Sequence, residues 1–279
     1  MIILSEFKNL RYTLQKYEAA FSMGLVNSLE YRFDFFIGIL STIFPIIIQV
    51  YLWSAIYSGS GSETMYGYSF PQMMAYIAIA GTVSKFVVTG IENLVNDDIH
   101  SGGLAVFLVK PVKYIPFRIF QMIGQKLAST IIMIIFTVIV MTVLHFIIGF
   151  NIAFSTMLLF IPAIILATIL NFYLFFLVSI SAFWLTEVGR FFHTIQIVIM
   201  VISGGIFPVT VLGNTFVSIV KFLPFTYTIY FPISVVMGVM NSHEIFIGML
   251  IQIIWIAVLY LLTRQLWNMG IKKYVAVGG

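Results

Sequence analysis

Long stretches of this chain carry no charge, and that arrangement constrains the fold more than any motif. Charged residues make up 9% of 279 residues and apolar ones 61%. The charges fall between the apolar runs instead of among them. A charge at the bilayer centre costs about 3 kcal/mol or more, whereas an apolar helix of ~20 residues spans the hydrocarbon. A soluble chain carries about a quarter of its residues charged, and a membrane barrel shows short alternating segments. The pattern here is that of an all-α, polytopic membrane protein. Cysteine is absent, which excludes a disulfide framework and thiolate metal sites. Met1 to Asn27 holds Glu6, Lys8, Arg11, Lys16 and Glu18, and no cleaved signal is expected. The net charge of +4 reflects basic residues facing one leaflet, so no nucleic-acid partner is expected.

Residues 4–29 place Leu4, Phe7, Leu10, Leu14, Tyr17, Phe21, Leu25 and Leu29 at helical spacing among polar residues. This fits an amphipathic helix in the membrane interface; an ordinary helix packed on a partner has the same pattern. Transmembrane spans are expected at 35–57, 72–95, 127–149, 157–185, 191–212 and 245–262. Pro162 falls in the first turns of the fourth. Between the last two spans, residues 214–240 are apolar but broken by Pro224 and Pro232. Two half-helices dipping into the membrane explain that stretch, provided protein buries the broken backbone.

Lysine and arginine set the orientation. With the N-terminus inside, the inner segments hold Lys8, Arg11, Lys16 and Arg32, then Lys110, Lys113, Arg118 and Lys126. Arg190 follows, and then Arg264, Lys272 and Lys273. That is every one of the 14 basic residues except Lys221, which falls outside, and Lys85, which falls within span 2. Both termini are expected in the cytoplasm.

No G-x-x-x-x-G-K-[ST] phosphate loop, H-E-x-x-H or G-x-S-x-G occurs, so the sequence gives no sign of an enzyme or of a chain that binds ATP in that manner. His100, His145, His193 and His243 share no ligand spacing, and no metal or cofactor is expected on this chain.

The most informative segment between spans is 96–118, NDDIHSGGLAVFLVKPVKYIPFR. Asn96 or Asp97 can cap a short helix. Ile99, Leu104, Phe107 and Leu108 give it an apolar side, and Pro111 stops it. Such an element suits a docking partner in the cytoplasm, or a connector resting on lipid headgroups.

Here the chain resembles a family. The segment fits I-x-x-G-x-L-x-x-x-L-x-K-P at Ile99, Gly102, Leu104, Leu108, Lys110 and Pro111, and prolines follow at Pro208, Pro224 and Pro232 within SGGIFPVTVLG and KFLPFTYTIYFPISVVMG. With an amphipathic start and six spans, this is similar to the membrane subunit of an ABC-2 class ABC exporter, in the bacterial branch of small permeases. The resemblance implies a permease in the bacterial inner membrane, paired with a second copy or a related permease. It also implies two separate ATPase subunits that carry ATP and Mg and dock on the 2–3 loop. In that picture Asp97, Asp98, Ile99, Gly102, Leu104, Phe107, Leu108, Lys110 and Pro111 form the coupling element. Residues 4–29 are the interfacial helix, and 214–240 an outer re-entrant element.

Other polar groups leave alternatives open. Lys85 and Glu92, seven apart on span 2, line a substrate path or a permease interface; otherwise Lys85 snorkels and Glu92 sits near Lys110 or Arg118. Glu187 and Arg190 form a second ATPase contact or a solvated salt bridge. Phe172, Tyr173, Phe175 and Phe176 suit an amphiphilic cargo, or they face lipid or the core. A rival class, a lipid-modifying enzyme, has Asp97, Asp98 and His100 as its candidate metal cluster. A stand-alone channel or secondary transporter would need an intramembrane chain of ionisable groups.

Overall fold

The computed structural model describes residues 15–28, 32–148, 154–185 and 189–274. Helix α1 covers 15–28, and α2 covers Arg32–Ser60 with Pro45 inside it. A two-stranded antiparallel hairpin follows, β1 (Thr64–Met65) and β2 (Tyr68–Ser69). Its turn residues Tyr66 and Gly67 have φ of 56° and 87°, the positive pair that matches the twist of a tight hairpin. The fold is otherwise helical among the described residues, as the all-α expectation has it. Then come α3 (Phe70–Val87), α4 (Ile91–His100), α5 (Gly103–Val109), α6 (Tyr114–Ile148), α7 (Phe154–Ser179) and α8 (Gly189–Ile202). They are followed by α9 (Asn214–Val220), α10 (Tyr230–Val236) and α11 (Ser242–Ile271).

Among the described residues, four stretches are long and apolar enough to cross a membrane: Ile43–Ser60, Phe70–His100, Ser155–Phe183 and Ser242–Ile271. Helix α7 is the hub, packing against α11, α10, α4 and α3. Protein buries 72% of its stretch, against 11% for α2 and 22% for α11. The last two therefore turn most of their surface outward. The span 4 aromatics belong to the core: Phe172, Tyr173, Phe175 and Phe176 are all buried, so they form no lipid face, and of the four Phe175 also borders a cavity. Gly248 and Gly270 let rings lie against α11. A Cβ there would come within 2.0 Å of the Phe231 ring and 2.2 Å of the Phe183 ring.

Several boundaries move for identifiable reasons. Span 2 does not run to residue 95 as one helix, because Gly90 takes φ 66° and the chain restarts as α4. Span 5 keeps only the 14 residues of α8 as helix, or ~21 Å at 1.5 Å per residue. Gly204, at φ 82°, turns the chain, and the remainder to residue 212 is irregular with a short 3-10 turn at Val209–Leu212. Span 3 lies within α6 as far as Ile148, residue 149 falling outside the described residues; α6 starts well before residue 127 and is 35 residues long. Span 6 extends to Ile271. Its start is fixed by a capping box in which Asn241 and Glu244 exchange hydrogen bonds of 2.9 and 2.8 Å. In 214–240 the two short helices are α9 and α10. Pro208 and Pro224 each precede a 3-10 turn, while Pro232 lies in the first turn of α10 rather than breaking it.

Helix α1 does not lie free. Residues 4–14 and 29 of the expected interfacial helix fall outside the described residues. Gly24 and Gly124 let α1 and α6 approach backbone to backbone: a Cβ at either would lie 2.0 Å from a carbonyl oxygen, of Gln121 or of Phe21. Tyr17 stacks on Phe120 at 5.1 Å, and Met23 and Val26 remain exposed on other faces.

Candidate functional site

The basic end of the bundle is built around an elbow of two short helices, α4 and α5. The first bend is Val88–Gly90, where α3 stops. Lys126 of α6 donates to the carbonyls of Phe86 and Val88, meeting two of the acceptors that the broken helix releases. Helix α4 then presents Ile91, Val95 and Ile99, four apart, to α7 and to the 3-10 turn Ile180–Phe183. The second bend is Gly102, at φ 81°, which starts α5. Expected capping by Asn96 or Asp97 is absent. Both lie inside α4, and glycine rather than a side-chain oxygen opens each helix.

A buried cluster holds the elbow to α6. The Arg118 guanidinium pairs with Asp98, and Tyr114 donates its hydroxyl to the same carboxylate. Arg118 also donates to Gln121, and its guanidinium lies 5.5, 5.3 and 5.9 Å from the rings of Phe107, Tyr114 and Phe117. A planar cation can stack and donate at once, which an ammonium cannot do as well. Burial holds the Tyr114 phenol above its ordinary value, outweighing the lowering by Arg118, so the hydroxyl keeps its proton and donates. Tyr114 stacks on Trp267 at 4.8 Å, which joins the elbow to the end of α11. His100 lies between the carbonyls of Asn96 and Leu185, at 3.0 and 3.2 Å. Lys16 of α1 reaches the carbonyl of Pro111 at 3.0 Å.

A family model described as ABC-2 family transporter protein matches residues 21–278. The chain belongs to that family. No curated protein and no solved structure matches it. As an ABC-2 transporter component, the protein is a multi-pass membrane permease that works with ABC ATPase components.

In this ABC-2 permease the residues singled out in 97–111 divide into two groups. Ile99 and Leu104 are buried, Phe107 packs on Tyr114 and Phe117 at 5.0 Å each, and Asp98 is engaged by Arg118. These hold the elbow. Asp97, Leu108, Lys110 and Pro111 are exposed, together with Val106 and Val109. These form its outer surface. Asp97, Asp98 and His100 do not gather as ligands, and no cluster able to hold a metal occurs among the described residues.

The remaining candidates are dispersed. The break at Gly90 removes the helix face that Lys85 and Glu92 were expected to share. Glu92 is buried, its Oε2 meets no hydrogen-bond partner among the described residues, and it pairs with neither Lys110 nor Arg118, the latter committed to Asp98. Lys85 stands on the wall of a cavity between α2, α3, α7 and α8. Arg190 is exposed at the start of α8, and Glu187 lies outside the described residues. The positions not anticipated from sequence are Tyr114, Gln121, Trp267 and Lys16. Tyr114, Arg118 and Gln121 recur at i, i+4 and i+7, so one face of α6 carries them.

Proposed function

We propose that this permease forms half of the translocation pathway of an ATP-driven exporter and receives force from separate ATPase chains through the α4–α5 elbow. The observation that carries this reading is the division of the elbow: Asp98, Ile99, Leu104 and Phe107 fix it to the rest of the bundle, while Val106, Leu108 and Val109 of α5 are exposed. An exposed apolar group at a water-facing end suits a protein partner. The positive-inside bias puts that end in the cytoplasm, where an ATPase subunit has access to it. A rigid elbow between α3 and α6 converts movement at its surface into movement of two membrane helices.

On this reading two ATPase subunits bind ATP and Mg, this chain hydrolyses nothing, and a second permease, identical or related, completes the pathway. The chain crosses the bacterial inner membrane six times, with α6 and the short α8 counted among the crossings. Residues 214–240 form an outer re-entrant element, and Arg190 adds a second contact. The test is purification of the tagged chain from its native membrane in mild detergent. An ATPase subunit should accompany it and be lost at least about tenfold in the Leu108→Asp, Val109→Asp double variant, since a charge buried unpaired in an interface costs about 2 kcal/mol or more. Because both side chains are exposed, thermal stability should hold. An ATPase retained by that variant removes the elbow from the contact, and a chain that purifies alone removes the exporter reading.

A further inference from the structure

We propose that the cavity between α2, α3, α7 and α8 is a site for an amphiphile whose headgroup carries hydroxyl or ammonium donors, taken from the leaflet on the basic side. As a cargo site it rests on the exporter reading above; as a lipid site it does not.

The cavity holds about 330 Å³, within the range of small-ligand pockets and enough for a headgroup without its acyl chains. Three polar atoms on its wall are buried without a hydrogen-bond partner among the described residues: Gln49 Oε1, Ser84 Oγ and Asn171 Oδ1. They come from three different helices. Asn171 is only 2% exposed and stands on α7, the most buried of the candidate spans. A buried polar group with no partner is costly, and more so in a membrane, so its presence calls for a ligand or for a role. Amide oxygens accept and never donate. What Gln49 and Asn171 lack is therefore a donor. A quaternary ammonium or an ionised phosphodiester cannot supply one, whereas an ammonium or a hydroxyl can.

The rest of the wall sets the other half of the chemistry. Lys85 and His193 also line the cavity, so its wall carries basic side chains beside the amides. Exposed Ile197 and Met200 also line it, leaving apolar surface for chains that stay in the bilayer. Asn171 lies ~12 Å along the helix from the end of α7 at Ser179, and Lys85 is two residues from the end of α3. Both distances put the site in the half of the hydrocarbon nearest the elbow.

The experiment is native mass spectrometry of the purified full chain, with whatever subunits accompany it. Dioleoyl phosphatidylethanolamine, phosphatidylglycerol and phosphatidylcholine are supplied at equal concentration. The first two carry donors on the headgroup and the third has none. Retention of the donor-bearing lipids over phosphatidylcholine by about fivefold or more is expected, the factor of a buried hydrogen bond, and Asn171→Leu should abolish the preference. Gln49→Leu, on the outward-facing α2, serves as a second variant should Asn171→Leu fail to fold. Equal retention of phosphatidylcholine, no retained lipid, or a preference unchanged in the folded variants would each overturn the proposal. Lipid preference without any ATPase would leave the site standing and remove only its role as cargo site.

Discussion

Both ends of this bundle contain broken helices, yet they close the breaks in different ways. At the basic end one ion pair gathers the polar contacts over an apolar core. Asp98, Arg118, Tyr114 and Gln121 meet in a cage of rings, and α1, α4, α5 and α11 all reach it directly or through one neighbour. At the opposite end, residues 203–240 turn repeatedly without any ion pair among the described residues. There side chains donate one by one to backbone carbonyls: Tyr76 to Gly204 at 2.6 Å, Thr228 to Phe225 at 2.6 Å, Ser234 to Tyr230 at 2.9 Å, and Gln252 to both Ala163 and Tyr227 at 3.1 and 2.9 Å. Irregular backbone at membrane depth survives only where protein meets its polar groups. A concentrated clamp suits an element that moves as a unit, and a distributed set suits one that stays closed.

The comparison breaks most visibly at Arg118. Replacing it with Leu strands the Asp98 carboxylate in a site where the two side chains are 15% and 9% exposed. Removing one partner of a buried pair costs about 3–5 kcal/mol, and the residual exposure of this one places it near the lower figure. We expect a clear fall in thermal midpoint and new protease cleavage within 101–113. Asp98→Asn in the same chain should recover part of the loss, because it removes the stranded charge. A cleavage pattern like that of the parent would mean that α5 is held by Leu104 and Phe107 packing alone.

The same contrast explains what the sequence discloses. Apolar runs place α3, α7 and α11 well, because hydropathy over some twenty residues is a sum that local detail barely changes. Pro111, Pro208 and Pro224 mark real punctuation, since proline removes a donor wherever it stands. Gly90 and Gly204 do not announce themselves. Glycine is common in membrane helices, and only the backbone shows which ones take positive φ. Asp98 and Arg118 are likewise far apart in the chain, and they meet only because two glycine bends fold α4 and α5 back on α6. The segment 96–118 reads in the sequence as one short element between two long helices, but its division into an anchoring side and an exposed side does not, because that depends on the direction in which α5 is carried.

A second test asks whether α1 belongs to the basic-end assembly or to the lipid. In Gly124→Val the added carbons have no room, since even a Cβ would lie 2.0 Å from the Phe21 carbonyl oxygen, which is backbone and cannot step aside. Overpacking of this kind costs about 1–3 kcal/mol. Hydrogen exchange of the amides in 15–28 should speed up, with loss of the Tyr17–Phe120 stack and the Lys16–Pro111 bond. Exchange that does not change would show α1 to be held by the bilayer and not by α6.

The smallest effect is expected at the opposite end, and its smallness is the point. Tyr76 is fully buried and donates to Gly204, so Tyr76→Phe removes one hydrogen bond and keeps the ring that lies 5.8 Å from Tyr68. Hydrogen bonds inside membrane proteins are worth about 0.6 kcal/mol on average. Gln252→Leu removes two, to Ala163 and Tyr227, and should cost about twice as much. The two sites share no partner, so the losses should add in the double variant. Denaturation in detergent measures all three. A double loss well beyond the sum would mean that 203–240 also opens as one cooperative unit, and that the distributed bonding of this end conceals a single switch like the clamp at the other.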